Sequence, residues 1–269
     1  MPELPDVELY KRHLDATCLG RTIAKVVVGD GRTLAGLSAT ELARRLKGAR
    51  ITASRRHGKH LLVDLEPPGW ITMHFGMTGS LKHFIDGEQD PPYERVRFDF
   101  ANGHHLAYID ARLFGRVGLT ADADAFIAAQ GLGPDALDQR FDRAGFEQAL
   151  TGRKRDAKSL LMDQGVVAGI GNIYSDEILF QARLHPRTRC DRLDPRGRHQ
   201  LFDQIKAVLK TAITSGAGAE RLVDQLPASF LIPHRAKGGR CPRCGGEIAT
   251  AKFSGRTAYF CPRCQPEPA

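Results

Sequence analysis

Apolar and polar positions follow two different periods in the two halves of this chain. In the first half, residues 96–100 alternate apolar and charged side chains, Asn102 and Gly103 provide a tight turn, and residues 106–109 return as an apolar segment. Further short segments rich in apolar and β-branched residues occur at 22–28, 50–55, 61–65 and 70–75. Antiparallel strands this short and this closely spaced predict a sandwich or a barrel.

Two helical segments accompany these strands. We expect Asp6 to cap a helix whose apolar side chains recur at helical spacing, namely Val7, Tyr10 and Leu14. Ser38 and Glu41 form a capping box at the start of a second helix, which Gly48 ends. The first 120 residues are therefore predicted to be mainly β-structure with flanking helices.

The second half has the longer period of helices. Residues 121–139 are rich in Ala, Asp and Gly, and we interpret them as a linker. Beyond them, Asp142, Asp156 and Asp194 each stand where an N-cap would begin a helix, and Asp194 is followed by a proline that suits the first helical position. A glycine-rich turn at 165–171 leads into another helical segment.

Four cysteines near the end follow the spacing Cys-x2-Cys-x16-Cys-x2-Cys: Cys241, Cys244, Cys261 and Cys264. Between the pairs, two strand-like segments flank Ser254, Gly255 and Arg256, so Arg256 is expected at the tip of a hairpin. This spacing is typical of a structural zinc site, in which four thiolates leave no position open for catalysis. We therefore predict one bound Zn²⁺ that replaces a hydrophobic core in this short segment.

The charge balance favours a polyanionic partner. The 269 residues carry 39 Lys and Arg against 31 Asp and Glu, a formal net charge of +8. A basic surface alone also serves solubility. No apolar run approaches the roughly 20 residues that a helix needs to cross a bilayer, and no secretory segment is evident, so we expect no membrane partner and a reducing, cytoplasmic location.

The first residues offer a possible nucleophile. Proline at position 2 favours removal of Met1, which would leave the secondary amine of Pro2 beside the carboxylate of Glu3. An α-amino group is partly neutral at physiological pH and can then attack carbon. The alternative is an ordinary frayed terminus. An amine nucleophile in a basic chain with a zinc module points to covalent chemistry on nucleic acid.

Several motifs in a fixed order resemble one family over nearly the whole chain, the formamidopyrimidine-DNA glycosylases and their endonuclease VIII relatives. The matching stretches are residues 2–5 (PELP), 56–59 (RHGK), 74–81 (HFGMTGSL), 110–115 (DARLFG), 163–174 and the zinc hairpin. The resemblance implies an α+β multidomain fold. It comprises an N-terminal antiparallel β-sandwich with flanking helices (1–120), a linker (121–139), a helix-two-turn-helix DNA-binding domain (140–220), and a compact loop with the four-cysteine zinc-finger β-hairpin (221–269).

The resemblance also implies a reaction, base excision from DNA followed by cleavage of the abasic strand. Pro2 would attack C1′ of an extruded nucleotide and form a Schiff base, and β- and δ-elimination would follow. Glu3 would act as general acid and base, and Lys59, at a tight turn between strands, would reach the phosphates near the lesion.

The same comparison assigns DNA contacts. Lys158 and Asn172 match phosphate-binding residues, Asn172 at a helix start where free N–H groups favour anions. We expect Arg256 to contact phosphate as well. A second set fills the space that the extruded base leaves and pairs with its partner: Met77, Arg112 and Phe114. For Met77 and Phe114 the alternative is a place in the hydrophobic core.

Some features depart from the family pattern. Asp6 stands where Glu is more common and Leu113 where Arg is more common, and the segment between Gly216 and Cys241 is compact where guanine-lesion enzymes have a longer capping loop. Ring-opened purines, oxidised pyrimidines and abasic sites therefore all stay open as substrates. A non-catalytic, zinc-dependent protein that binds damaged DNA is the alternative from another functional class. We expect a bacterial monomer that binds double-stranded damaged DNA at the nucleoid and needs no nucleotide cofactor.

Overall fold

A computed structural model describes residues 1–216, 223–253 and 255–268. The chain forms two compact units. The first contains residues 1–2 and 6–130, and the second contains residues 3–5 and 131–269. The predicted boundary between residues 220 and 221 and the residues Ala219, Glu220 and Arg221 of the compact loop lie outside the described residues. None of the helices in the described part of the chain is long and apolar enough to cross a membrane.

The first unit combines eight strands with three helices. The helices are α1 (Leu4–Cys18, whose first two residues belong to the second unit), α2 (Ala39–Leu46) and α3 (Ala123–Ala129). The strands are β1 (Ile23–Val28), β2 (Arg50–His57), β3 (His60–Glu66), β4 (Gly69–His74), β5 (Ser80–Ile85), β6 (Glu94–Phe100), β7 (His104–Ile109) and β8 (Arg116–Thr120). A short 3-10 turn covers Gly31–Thr33.

These strands form two antiparallel four-stranded sheets, in the orders β1-β6-β7-β5 and β2-β3-β4-β8. One hydrophobic core joins them, with Phe98 and Tyr108 from the first sheet, Val63 and Met73 from the second, and Leu14 from α1. Each fully buried side chain of this size contributes about 1.5–3 kcal/mol. The predicted β-sandwich with flanking helices is confirmed.

Local patterns predicted most of these elements. The alternating residues 96–100 lie in β6, and the Asn102–Gly103 turn leads into β7. Ser38 caps α2 by accepting a hydrogen bond from the backbone nitrogen of Glu41 at 3.1 Å. The strands β5 and β8 were not expected from the sequence. In β5 the buried positions do not alternate strictly, so its period-2 signal is weak.

Two expectations about helices are corrected. Helix α1 begins at Leu4, so Asp6 lies within its first turn and is buried rather than serving as its cap. The predicted linker at 121–139 contains α3, because the side chain of Asp122 accepts a hydrogen bond from the backbone nitrogen of Ala125 and caps a helix there.

The second unit is mainly helical, with α4 (Arg143–Leu150), α5 (Ala157–Leu161), α6 (Asn172–Gln181) and α7 (Pro195–Thr214). Short 3-10 turns cover Cys190–Arg192, Val223–Gln225 and Ile232–His234. Asp142, Asp156 and Asp194 cap α4, α5 and α7 as predicted, each accepting from a backbone nitrogen three residues later. Such caps contribute about 1 kcal/mol each. The apolar stripe of α7 is buried in the core: Leu201, Ile205, Val208, Leu209, Ala212 and Ile213.

The zinc segment ends the second unit. Its strands β9 (Ala249–Phe253) and β10 (Arg256–Phe260) pair as an antiparallel hairpin, and Ser254, between them in the sequence, lies outside the described residues. A small core joins this segment to α6 through Phe180, Ile248 and Cys261. Arg243 adds a hydrogen bond to the carbonyl oxygen of Phe180 at 3.0 Å. The hairpin is therefore packed against the helical part of its own unit.

Candidate functional site

The carboxylate of Glu3 lies at the N-terminus of α6. Its Oε2 accepts hydrogen bonds from the backbone nitrogens of Gly171 at 2.6 Å and Tyr174 at 3.2 Å, and its Oε1 accepts one from Ile173 at 2.8 Å. Glu3 is fully buried. The N-terminal N–H groups of a helix have no partner within the helix, and they carry the positive end of its dipole. They stabilise the negative charge of Glu3 and fix the orientation of its carboxylate.

Local sequence explains why Glu3 takes this place. Gly171, the residue before α6, has no side chain to cap the helix, so the donors are open to a partner from elsewhere in the chain. The backbone nitrogen of Leu4 donates to the carbonyl oxygen of Gly169 at 3.0 Å. Gly169 has φ +114°, and a Cβ there would overlap the side chain of Leu4. The glycine-rich turn at 165–171 thus admits the chain beside Glu3.

Pro2 directly precedes this carboxylate and is buried. In the described chain its nitrogen is joined to Met1 and is an amide. An amide nitrogen is not nucleophilic, so the predicted attack by Pro2 requires the removal of Met1.

Lys59 lies in the two-residue turn between β2 and β3, as predicted. It is 8% exposed, and Gly58 before it has a positive φ of 55°. A solvated turn lysine would be far more exposed, so Lys59 is not an ordinary surface lysine. The phosphate contact of Lys59 stays a prediction.

Met77, Arg112 and Phe114 lie on two loops of the first unit. Met77 is 39% exposed and Phe114 is 52% exposed, so the alternative that they belong to the core is wrong. The guanidinium carbon of Arg112 lies 5.1 Å from the ring centroid of Phe114. This contact is of the cation–π type and holds the two side chains together.

Asp110 fastens these two loops to each other. Its Oδ1 accepts hydrogen bonds from Thr78 Oγ1 at 2.5 Å and from the backbone nitrogen of Arg112 at 3.1 Å, and its Oδ2 accepts one from Gly115 at 2.7 Å. Asp110 is fully buried. From the sequence, no role is predicted for Asp110. One signal in the sequence indicates such a role: an aspartate that directly follows a strand can accept a hydrogen bond from the backbone N–H two residues later and so fix a turn.

A glycine completes the approach of the two loops. Gly76 has φ +53°, and a Cβ at this position would overlap the backbone of Phe114 and Gly115. The loop with Met77 therefore lies directly against the loop with Phe114. The exposed side chains of Met77 and Phe114 are therefore carried by two loops that pack directly against each other.

Lys158 does not fit its predicted contact with DNA phosphate. It is fully buried in α5, and its ammonium donates to Asp176 Oδ1 at 2.6 Å, Ser175 Oγ at 2.9 Å and the carbonyl oxygen of Asn172 at 3.1 Å. An ammonium has three hydrogens to donate, and these three acceptors use all of them. Lys158 therefore supports α6 from inside the unit.

Asn172 begins α6 as predicted. The backbone N–H groups at this helix start were expected to attract phosphate, but those of Gly171, Ile173 and Tyr174 donate to the carboxylate of Glu3. The side-chain amide of Asn172 donates to the carbonyl oxygen of Thr257 in β10 at 3.2 Å. Arg256 lies at the exposed start of β10, and its Nη1 lies 3.7 Å from Met162 Sδ. Among the described residues, this contact leaves most of its donors available.

The four predicted zinc ligands converge. One ligand atom from each cysteine lies within 4.8 Å of the others: Cys241, Cys244, Cys261 and Cys264. The Sγ–Sγ distances are 3.8 Å between Cys241 and Cys264 and 3.5 Å between Cys244 and Cys261. A tetrahedral Zn²⁺ with Zn–S bonds of about 2.3 Å requires sulfurs about 3.8 Å apart. The donor set therefore fits one structural zinc ion, and the prediction is confirmed.

Comparison with protein families divides the chain into three matched segments. Residues 1–117 match the formamidopyrimidine-DNA glycosylase N-terminal domain, residues 132–224 the H2TH domain of the same enzymes, and residues 238–266 the zinc finger found in FPG and IleRS. The helical part of the second unit is thus the helix-two-turn-helix domain that the sequence predicted.

Named relatives match nearly the whole chain. The formamidopyrimidine-DNA glycosylase of Heliobacterium modesticaldum is 38% identical, over 98% of this chain and 100% of that protein. The enzyme of Acaryochloris marina is 35% identical, over 99% and 100%. Among solved structures, Lactococcus lactis Fpg bound to DNA with an AP site aligns with a TM-score of 0.88 at 29% identity, over 98% of this chain and 100% of that one. Another complex of that enzyme, with THF-DNA and an inhibitor, has a TM-score of 0.90 at 29% identity, over 99% and 100%.

Proposed function

Since this chain belongs to the formamidopyrimidine-DNA glycosylase family, and is thereby a DNA glycosylase with abasic-site lyase activity, we propose that Pro2 and Glu3 carry out its chemistry. Its substrate class is oxidised or ring-opened bases in double-stranded DNA. The proposal is carried by the three backbone hydrogen bonds that fix the carboxylate of Glu3. Glu3 directly follows Pro2 in the chain.

The reaction begins with the amine of Pro2, after Met1 is removed. Its nitrogen forms a bond to C1′ of the extruded nucleotide and gives up its proton to the carboxylate of Glu3. The bond between C1′ and the base breaks, and the base leaves with a proton from solvent. The sugar ring then opens when Glu3 passes its newly gained proton to the ring oxygen, and the bond between C1′ and that oxygen breaks as the nitrogen becomes an iminium cation. The iminium withdraws electrons and acidifies the neighbouring C2′ proton. Loss of that proton expels the 3′ phosphate, and a second elimination expels the 5′ phosphate.

The burial of Glu3 suits this role. Its orientation is fixed before substrate binds, so no reorganisation is needed when charge develops on the sugar. A damage-binding protein without catalysis needs neither a buried carboxylate at this position nor an amine next to it. Lys59 is proposed as a third catalytic residue that neutralises a phosphate close to the lesion.

Contacts to the rest of the DNA follow from exposure and charge. Arg256 is proposed as a phosphate ligand of the second unit. Asn172 is proposed as another, through its second amide hydrogen, since one is donated to Thr257. Met77, Phe114 and Arg112 are proposed to fill the vacated position in the base stack and to bond the orphaned partner base. Lys158 is removed from the set of phosphate ligands, because its donors are used inside the protein.

We propose a lesion spectrum broader than 8-oxoguanine. The relatives are named for formamidopyrimidine, and L. lactis complexes contain Fapy-dG or an abasic site. The segment between residues 216 and 241 is compact in the sequence, so fewer contacts to an extruded base are available to select one lesion. We further propose a monomer without a nucleotide cofactor, which acts in the bacterial cytoplasm, where the chromosome lies.

A panel of duplexes tests this function. Fapy-dG, 8-oxoguanine, an oxidised pyrimidine and an abasic site would each be placed in one duplex, and incision would be measured under single-turnover conditions. We expect incision of the ring-opened purine and the abasic site, and a loss of base excision of about 100-fold or more for Glu3→Gln. The exposed Glu66→Gln is the matched control. Full excision by Glu3→Gln would refute the assignment of Glu3.

A further inference from the structure

One buried carboxylate in α6 joins three separate segments of the second unit. Asp176 is fully buried, and its Oδ1 accepts from Lys158 Nζ of α5 at 2.6 Å. Its Oδ2 accepts from Arg235 Nε at 2.9 Å and from the backbone nitrogen of Tyr259 in β10 at 3.1 Å. Asp176 therefore binds a helix, the segment that precedes the zinc finger, and a strand of the zinc hairpin at once.

Arg235 strengthens the link to the zinc hairpin. Its side chain is 16% exposed, and its guanidinium carbon lies 4.5 Å from the ring centroid of Tyr259. The same residue is thus paired through its charge and stacked on an aromatic ring. Tyr259 is two positions from the zinc ligand Cys261, so this contact is made close to the metal-binding end of β10.

Lys158 strengthens the link to the start of α6. Besides Asp176, it donates to the carbonyl oxygen of Asn172 and to Ser175 Oγ, which itself donates to the same carbonyl at 3.2 Å. The amide of Asn172 also reaches Thr257 in β10. The first turn of α6 is thereby fixed to α5 and to the zinc hairpin by side chains.

That same first turn supplies the donors for Glu3, the backbone nitrogens of Gly171, Ile173 and Tyr174. Any shift of the turn would move these donors relative to the carboxylate. Apolar packing could have held the turn against the hairpin without the desolvation that buried charges require. A network of ions and hydrogen bonds instead fixes one arrangement, because its geometry tolerates little displacement.

We propose that Asp176, together with Lys158 and Arg235, is a positioning set that couples the zinc-bound hairpin to the orientation of Glu3. The zinc finger then acts on the chemical step as well as on DNA binding. The expected effect on activity rests on the proposed catalytic role of Glu3. Its structural part, the link from the zinc hairpin to the first turn of α6, does not depend on that role.

Hydrogen–deuterium exchange on the full zinc-loaded chain tests the structural part. Asp176→Asn keeps the shape of the side chain but removes the charge that faces two cations. We expect the peptide that covers residues 170–176 to exchange about tenfold faster than in the wild type. Asp203→Asn is the matched control, since it removes an exposed ion pair with Arg143 in the same unit. Unchanged exchange in Asp176→Asn would overturn the proposal.

Zinc removal provides the second arm. Chelation, verified by metal analysis, should accelerate exchange at residues 170–176 in the wild type and add less in Asp176→Asn, where the carboxylate that joins α6 to the hairpin is already removed. Equal acceleration in both proteins would contradict the coupling. If Asp176→Asn does not fold, Arg235→Gln replaces it, because it spares the pair between Lys158 and Asp176. Faster exchange at residues 170–176 is again required.

Single-turnover excision at saturating enzyme gives the functional readout. We expect Asp176→Asn to lower the rate constant about tenfold or more, with zinc still bound and with the Kd for an abasic-analogue duplex within about threefold of the wild type. A change in Kd alone would assign the network to DNA binding and overturn its role in positioning Glu3. Full activity of Glu3→Gln would instead refute the proposed function, and the exchange data would still decide the structural link.

Discussion

The Oε2 atom of Glu3 lies 2.6 Å from the backbone nitrogen of Gly171, although 168 positions separate the two residues in the chain. This hydrogen bond and its two neighbours seat the carboxylate on the first turn of α6. A carboxylate in this place has a fixed orientation, while the residue before it carries the proposed nucleophile. The start of one helix thereby fixes the place of the carboxylate that we propose for proton transfer.

Phe114→Ala should weaken lesion binding without harming the fold. Phe114 is 52% exposed, so its truncation should change the free energy of unfolding by no more than about 0.5 kcal/mol. If its ring fills the vacated position in the stack, the Kd for an abasic-analogue duplex should rise about tenfold. Fluorescence anisotropy and urea unfolding give the two quantities. Leu19→Ala, at a 42% exposed apolar residue of the same unit, is the control. Equal Kd values for the two variants would count against the wedge.

Asp110→Asn should affect both stability and DNA binding. Both carboxylate oxygens of Asp110 accept from backbone N–H groups, and in Asn one of these oxygens is replaced by an NH2 group, which cannot accept. One backbone N–H would lose its partner, so we expect a loss of about 1–3 kcal/mol in the free energy of unfolding. The loops with Met77 and Phe114 would also lose their common anchor, and affinity for the lesion duplex should fall. Asp86→Asn removes an exposed partner of His105 and should change neither. Lower stability with unchanged affinity would show that Asp110 does not organise these loops for DNA.

The sequence predicts those helices and strands that are determined by residues close to one another in the chain. Residues 96–100 form β6 because their alternation suits a strand with one buried face. Asp142 and Asp194 begin helices because a cap acts on backbone groups two or three residues away. The zinc ligands are equally readable, since their short spacings alone bring each pair together.

Long-range contacts of single polar groups are not readable in this way. Nothing close to Glu3 in the sequence indicates which N–H groups it meets. Helix α6 is buried on all sides from Tyr174 to Phe180, so it has no polar stripe that would mark Asp176 as special. The role of Asp176 emerges only with its partners Lys158 and Arg235, and the same contacts explain why Lys158 is not a phosphate ligand.

Glu177 should make stability depend on pH. Its burial raises its pKa from 4.5 to about 7, while Gln181 and the backbone nitrogen of Ile232 donate to its carboxylate. The folded state binds the proton of Glu177 more tightly than the unfolded state does. The stabilisation of the fold by this proton is therefore complete below about pH 4.5 and is lost as pH rises through about 7. The loss is on the order of 3 kcal/mol. Urea unfolding at pH 5 and pH 8 should give a steeper decline for the wild type than for Glu177→Gln. Identical declines would exclude this linkage.

Loss of the zinc site should weaken DNA binding. Cys261→Ser removes one thiolate, and structural zinc contributes about 10–16 kcal/mol in zinc-finger peptides, so the hairpin with Arg256 should lose its order. We expect less than one zinc per chain and a marked rise in Kd for duplex DNA. Cys190→Ala is the control, since this buried cysteine lies in the core of the second unit and outside the metal cluster. Tight binding by Cys261→Ser that lacks zinc would contradict the role of the hairpin.

Borohydride trapping on abasic DNA tests the central claim most directly. The reductant converts an iminium between protein and sugar into a stable amine, and mass spectrometry of the tryptic digest then locates the adduct. We predict that the modified peptide begins at Pro2 and ends at Lys11, with the sugar on the proline nitrogen. An adduct on Lys59 or another lysine, or strand incision at the full rate by a chain that retains Met1, would contradict the account.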